Sequence, residues 1–464
     1  MLYKKLFYAC LYFYRVFVWN TAGIQINRHR GTLSVSIQPP LLHFPEVPLP
    51  SMARIRQRFP APHLKDVRAA VRQELECLPL PLDLRCRGVA VGVGSRGIAH
   101  LPVLVDEVVT YVKKRHGVPF IVPAMGSHGG GTAAGQRAIL ASCGITEESA
   151  GVPILAGEES ICIGSNIAGV PVYCDAAAWQ ADWIIPINRV KPHTQFHAPT
   201  ESGLLKMLVI GFGKAKGAAT IHGYGTKGLV EYIPRSAEVF LNSGKVLFGL
   251  AVVENQRHET ALVRALTPED FFSEEKRLLC TARELMPRLP VESLDLLILD
   301  RMGKDISGPG MDSSVTGRIM ANGEPDPPSP RTALLAVLSL TEASHGNAVG
   351  VGLADLISHR LCQAIDVQAT YLNSISGGFP VQGKIPMVMS DDRQLMHAAA
   401  VLLGAGSLTD RRIIHARDTL HLEELEVSTA VLQELEGRTD LEILRPLAPM
   451  AFDSNNLLLP VEYL

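Results

Sequence analysis

The sequence predicts an α/β protein of two domains, with mainly parallel or mixed sheets flanked by helices. Three observations carry this. Strand, glycine-bearing turn and helix recur in order through the first half of the chain. Apolar runs such as GVAVGVG and LDLLILD are short and uninterrupted, as strands covered on both faces are. The chain has 464 residues, 47% hydrophobic and 19% charged, enough apolar material for two large cores.

The N-terminal run LFYACLYFYRVFVW is apolar and aromatic, but Arg15 interrupts it and it is too short to span a bilayer. Residues 20 to 51 read as a proline-spaced linker. Residues 1–51 are therefore expected to be a disordered or mis-assigned extension, with domains over 52–290 and 291–464. Residues 52 to 88 open with a basic segment and continue as a helix through VRAAVRQELECL. GVAVGVG is then a strand, and SRG stands in the turn after it. That turn places Arg96 where its two-pronged guanidinium can grip a carboxylate.

An amphipathic helix is expected from Leu101 to His116, and a strand from Pro119 to Ala124. The glycine-rich turn Gly126–Gly131 follows, then a helix that Thr132 can cap. The turn fits neither a P-loop nor the dinucleotide fingerprint. His128, set among glycines, has no apolar face to fill, so ligand contact or proton transfer is its expected role. Short strands are expected around Ile161 and over Val170–Tyr173, and another over Trp183–Ile187.

The stretch Asn188–Gly225 is the expected floor of an active site. It holds His193, His197 and His222 with Lys191, Lys206, Lys214 and Lys216. Neutral imidazole accepts a proton or binds a metal. Lys206 sits beside apolar residues, where burial sharpens an amine as a nucleophile; the alternative is an ordinary helix lysine with its head in water. HExxH, paired cysteines and acidic clusters are all missing, so a metal here needs most of its ligands from a cofactor.

Beyond it, VLFGLAVVEN reads as a closing strand and LDLLILD as a buried one. Asp300, Arg301, Lys304 and Asp305 crowd the exit of the latter. Lys304 can bind a carboxylate or phosphate there, or pair with its acidic neighbours. A helix is expected over Asp392–Leu403, with Asp391 its cap. Net charge is −2, which favours neither nucleic acid nor stable membrane association. Eight cysteines without a CxxC pair fit reduced thiols in the cytoplasm.

Four segments, VGVGSRG, AMGSHGGG, PH followed by SGLLK, and His222 sixteen residues after Lys206, together resemble the nickel-dependent lactate racemase family. The resemblance spans roughly residues 85 to 225. It implies a two-domain α/β fold with the active site in the interdomain cleft. It also implies a nickel-pincer nucleotide, a small 2-hydroxy acid as substrate, and cofactor biosynthesis enzymes as partners. Lys206 matches the lysine that holds the nucleotide covalently and His222 the protein ligand to nickel. His128 and His193 match the two acid/base histidines, Arg96 the carboxylate-binding arginine, and Lys304 a cofactor-contacting lysine. The family's aspartate three residues before the arginine is Val93 here, and two glycines before the lysine are Leu204 and Leu205. These departures point away from lactate, to a larger or differently polar 2-hydroxy acid or to epimerisation of a related hydroxy compound. A nicotinamide-linked dehydrogenase and a non-catalytic binding homologue are the alternative readings.

Overall fold

The computed structural model describes residues 24–29, 32–37, 42, 44–79, 83–95, 97–320 and 325–461. The chain forms two compact units. One is Arg58–Arg288 with Ile319–Asp326; the other combines Leu289–Arg318, Pro327–Leu464 and the segment before residue 58.

The first unit is built on a five-stranded sheet. Its order is Thr260–Leu266, Gly249–Glu254, Trp183–Arg189, Gly88–Val93, Val118–Pro123. Four strands are parallel, and Thr260–Leu266 is an antiparallel edge strand. Alternation along Gly88–Val93 shows how the sheet feeds two cores. Val89, Val91 and Val93 face the helix Leu101–Lys114 and its buried Leu104, Val108 and Val112. Ala90 faces the opposite layer, with Ile184, Phe212 and Phe240. Both faces are covered, which is why the strand reads as a continuous apolar run.

Helix Leu101–Lys114 buries Leu101, Leu104, Val105, Val108 and Val112, a stripe at helical spacing. Lys113 and Lys114 sit in its last turn, where cations offset the helix dipole. Helix Val67–Glu76 packs on the same core through Val67, Val71 and Leu75, and Asp66 caps it by accepting from the Ala69 amide. Glu107, buried in the longer helix, receives Arg72 Nε at 2.7 Å and Arg68, which clamps the two helices together.

The second unit holds an eight-stranded sheet. Its order is Met387–Met389, Leu356–Ser358, Arg331–Val337, Ser293–Leu299, Ile413–Ala416, Glu424–Ser428, Ser51–Gln57, Leu441–Pro449. The first five are parallel and the last three pair antiparallel. Leu296, Ile298, Ala336, Leu356 and Ile413 anchor one core, against Leu395 and Ala399 of the helix Asp392–Leu402. Asp391 caps that helix as expected, accepting from the Gln394 amide.

Two expectations are corrected. Residue 52 does not open the first domain: the strand Ser51–Gln57 is an inner strand of the second unit's sheet. Its arginines alternate with buried Ala53 and Ile55, and Arg54 and Arg56 both bind Glu424 at 2.6 Å. A reading by charge took that alternation for a basic segment. Within residues 1–51, Ile24–His29 and Thr32–Ile37 pair as an antiparallel hairpin rather than a disordered extension; residues 1–23 lie outside the described ones. The edge strand Thr260–Leu266 was not anticipated. Among the described residues, no helix is long and apolar enough to cross a membrane.

Gly92 sits in the central strand because the tip of the Phe212 ring presses against it: a Cβ there would lie 2.2 Å from the ring's Cζ. Gly92→Ala is expected to lower stability by about 1–3 kcal/mol through overpacking. Urea unfolding of the full chain, read as a fall in midpoint at unchanged slope, checks this.

Candidate functional site

The parallel strands of the first unit run in the spatial order second, first, third, fourth, with Gly88–Val93 first in the chain. From it the chain crosses to Val118–Pro123 on one side and then to Trp183–Arg189 on the other. Loops leaving the carboxyl ends diverge at such a reversal and leave a crevice, the usual ligand site of this architecture. Three loops start there: Gly94–Ser95 onward, Ala124–Gly131, and Val190–Ser202. They carry Ser95, His128 and His193.

The glycine turn folds on itself. Gly129 has φ 65°, and a Cβ there would lie 2.6 Å from the Gly135 carbonyl carbon, so only glycine closes the turn onto the next helix. Thr132 caps that helix, Ala133–Ser142, by accepting from the Gly135 amide at 3.1 Å. His128 is left exposed at the tip, with Nδ1 hydrogen-bonded to Ser95 Oγ of the neighbouring loop. Gln136, buried on the helix, donates from Nε2 to the carbonyls of Gly126 at 2.9 Å and His128 at 3.3 Å.

His193 stands in a loop whose neck is closed by paired backbone bonds between Lys191 and Ser202, 2.9 and 3.3 Å long. Its backbone N–H donates to Glu201 Oε2. Its Nδ1 accepts from the Gln195 amide at 3.2 Å, and its ring packs on Phe196 with centroids 4.4 Å apart. A neutral His193 therefore carries its proton on Nε2. Glu201 is buried and also receives the Ala198 amide and Arg283. Burial pushes its carboxyl up, but hydrogen bonds from His197, His193 and Ala198, with Arg283, outweigh that and hold it below the ordinary range.

Lys206 ends the turn Leu204–Lys206, and the chain then widens into the π-helical turn Met207–Gly211. Glu275, fully buried on the helix Phe271–Glu284, accepts the Leu204 and Leu205 amides at 2.6 and 3.1 Å through Oε2. It thus binds the first amides of the turn that presents Lys206. Gly203 leaves the room for it: a Cβ there would lie 2.4 Å from Glu275 Cδ. Burial raises the Glu275 carboxyl to about 7 against the pull of those two amides.

Helix Lys214–His222 follows and ends on His222. The His222 ring keeps solvent access, yet enough protein surrounds it that burial is the main influence lowering its pKa. The positive charges of Lys206 and His128 lower it further. Each of these influences favours the neutral imidazole, the form that offers a lone pair to a metal. His193 follows the carboxyl end of Trp183–Arg189, the strand next to Gly88–Val93.

Arg96 lies outside the described residues. Lys304 belongs to the second unit, where Nζ donates to the Gly308 carbonyl at 2.7 Å and Asn373 Oδ1 at 2.6 Å. Val93, at the position where the resemblance has an aspartate, is fully buried in the core with the helix Leu101–Lys114. Leu204 and Leu205 are likewise buried. Among the described residues, no three His, Cys, Asp or Glu side chains gather to hold a metal.

Sequence reasoning missed the buried polar residues behind this edge: Gln136, Glu201 and Glu275, and the buried role of Lys214. A signal existed for Glu275. It stands on the apolar stripe of its helix with Phe271, Leu278, Leu279 and Ala282, where a carboxylate has no place unless it holds something.

No family model matches the chain, and no curated protein does. Among solved structures, it is similar to the lactate racemase apoprotein from Thermoanaerobacterium thermosaccharolyticum, at 13% identity and TM-score 0.51. That match covers 86% of this chain and 99% of the racemase, and at such identity it shows a shared α/β fold. A protein from Thermotoga maritima aligns at 15% identity over 58% of this chain and 69% of its own, with TM-score 0.43.

The Glu275 pKa has a testable sign. A carboxyl raised from 4.5 to about 7 by folding leaves the native state protonated where the unfolded state is not. Its contribution to stability therefore falls as pH rises from 4.5 to about 7 and is flat above. Glu275→Gln keeps an acceptor for both amides and removes the proton. The stability difference between variant and wild type, from denaturant unfolding at pH 5 to 8 as a check, is expected to shift toward the variant across that window.

Proposed function

We propose that the chain is a racemase or epimerase of a 2-hydroxy acid that works with a nickel-pincer nucleotide held by its first unit. The observation that carries this reading is that His128 and His193 stand on loops leaving the carboxyl ends of the two strands that flank Gly88–Val93, while burial, Lys206 and His128 all favour the neutral form of His222. The fold shared with a lactate racemase apoprotein supports it.

The residues present fit the group. The Lys206 amine would hold the nucleotide covalently, from a turn whose amides Glu275 fixes. His222 would give its lone pair to nickel; one protein ligand suffices where the pincer supplies the others. When bound, that group would supply a hydride acceptor, one route to inversion at a carbon bearing hydroxyl and carboxylate.

The remaining work belongs to side chains of this chain. Arg96 would take the substrate carboxylate in a bidentate pair. His128, with Nδ1 on Ser95, has Nε2 to accept the substrate hydroxyl proton when Nδ1 carries the hydrogen of that bond. His193, with Nδ1 filled by the Gln195 amide, presents Nε2–H and so begins as the donor. Two histidines that start in opposite protonation roles suit a reaction that must treat both faces of one carbon. Val93, buried in the apolar core in place of an aspartate, goes with a 2-hydroxy acid that is larger than lactate or differently polar.

The test is a screen of single enantiomers of 2-hydroxy acids on protein co-expressed with the pincer biosynthesis enzymes. Inversion of at least one is expected. His128→Ala and His193→Ala should each lower kcat by about 10²- to 10⁴-fold. Full activity in both variants would overturn the assignment. Lys206→Ala should purify without nickel.

A further inference from the structure

Behind the glycine turn and the helix that ends on His222 lies a chain of buried polar groups that touches neither solvent nor substrate. Lys214 is 1% exposed and opens that helix at φ 56°, a left-handed conformation that a lysine rarely adopts. Its Nζ donates to Gln136 Oε1 at 2.5 Å and to the Pro123 carbonyl at 3.3 Å, and lies 3.4 Å from Asp175 Oδ2. Pro123 ends the strand from which the glycine turn leaves. Gln136 in turn holds the carbonyls of Gly126 and His128. Asp175 accepts the Ala178 amide through Oδ1, while its own N–H donates to the Phe212 carbonyl two residues before Lys214.

A lysine is costly to bury, and a solvent-facing residue would serve a plain helix start better. The strain and the burial are both present here, and the bonds of Lys214 tie the start of the His222 helix to the segment that carries His128, through Gln136 and Pro123, and to the strand Pro171–Asp175. We propose that Gln136, Lys214 and Asp175 form a strut that sets the position of the His128 turn relative to the His222 helix. They are positioning residues: none touches the reacting atoms. The Gly126 amide, donating to the Gly211 carbonyl at 3.1 Å, is a weaker second tie between the same segments.

This inference rests on the proposed function only for its kinetic consequence, and its test has two arms. Gln136→Met fills the same volume and leaves Lys214 with Asp175 and the Pro123 carbonyl, so the fold is kept. Lys214→Met combined with Asp175→Asn removes the other end of the strut without stranding a charge. In the full chain without cofactor, amide hydrogen exchange of residues 126–131 should speed up by about tenfold or more in both variants, with the sheet strands unchanged. In cofactor-loaded protein, kcat should fall by about 10- to 100-fold at unchanged KM and unchanged cofactor mass on Lys206. A turn that stays protected in both variants overturns the strut, and so does a loosened turn with wild-type kcat. If wild-type protein inverts no hydroxy acid, the proposed function fails, and the exchange arm still decides the strut.

Discussion

The first unit depends on one constraint of connectivity: the first parallel strand, Gly88–Val93, has later strands on both sides. Loops that leave the carboxyl ends of three adjacent strands then open around one crevice rather than running off to one side. The apolar packing of Val89, Val91 and Val93 on one face and of Ala90 and Gly92 on the other keeps that strand central.

Connectivity brings segments near; buried polar groups fix them. Glu201 holds the amide of His193, Glu275 the amides leading to Lys206, and Gln136 with Lys214 the turn of His128. Each is an unfavourable group to bury and each binds backbone of a segment that presents a reactive side chain. The pattern is that of a site whose geometry is maintained from behind, so that the presented groups keep one arrangement in water as well as with a ligand.

Much of this was legible in the sequence. Strand and helix periodicity located Gly88–Val93, Trp183–Arg189, Leu101–Lys114 and Asp392–Leu402 to within a few residues, because both faces of the strands and one face of each helix answer to burial. Thr132 and Asp391 announced their helices by side-chain chemistry that needs no tertiary context. His128 stands out in the sequence because a histidine set among glycines has no apolar face to fill. The rest depends on contacts distant in sequence. Glu275 meets Leu204 across seventy-one positions and Lys214 meets Gln136 across seventy-eight, and no local pattern encodes either pairing. The strand Ser51–Gln57 failed for the same reason: its partners, Glu424–Ser428 and Leu441–Pro449, lie at the far end of the chain.

The account turns on a single amine, that of Lys206, being presented beside His222 to receive a nucleotide. Peptide mapping by tandem mass spectrometry, on protein made together with the pincer biosynthesis enzymes, reads this directly. The account predicts a nucleotide adduct on the peptide containing Lys206, with nickel retained by wild-type protein and lost from His222→Ala. An unmodified Lys206, or an adduct on Lys191, Lys214 or Lys216 instead, would contradict it.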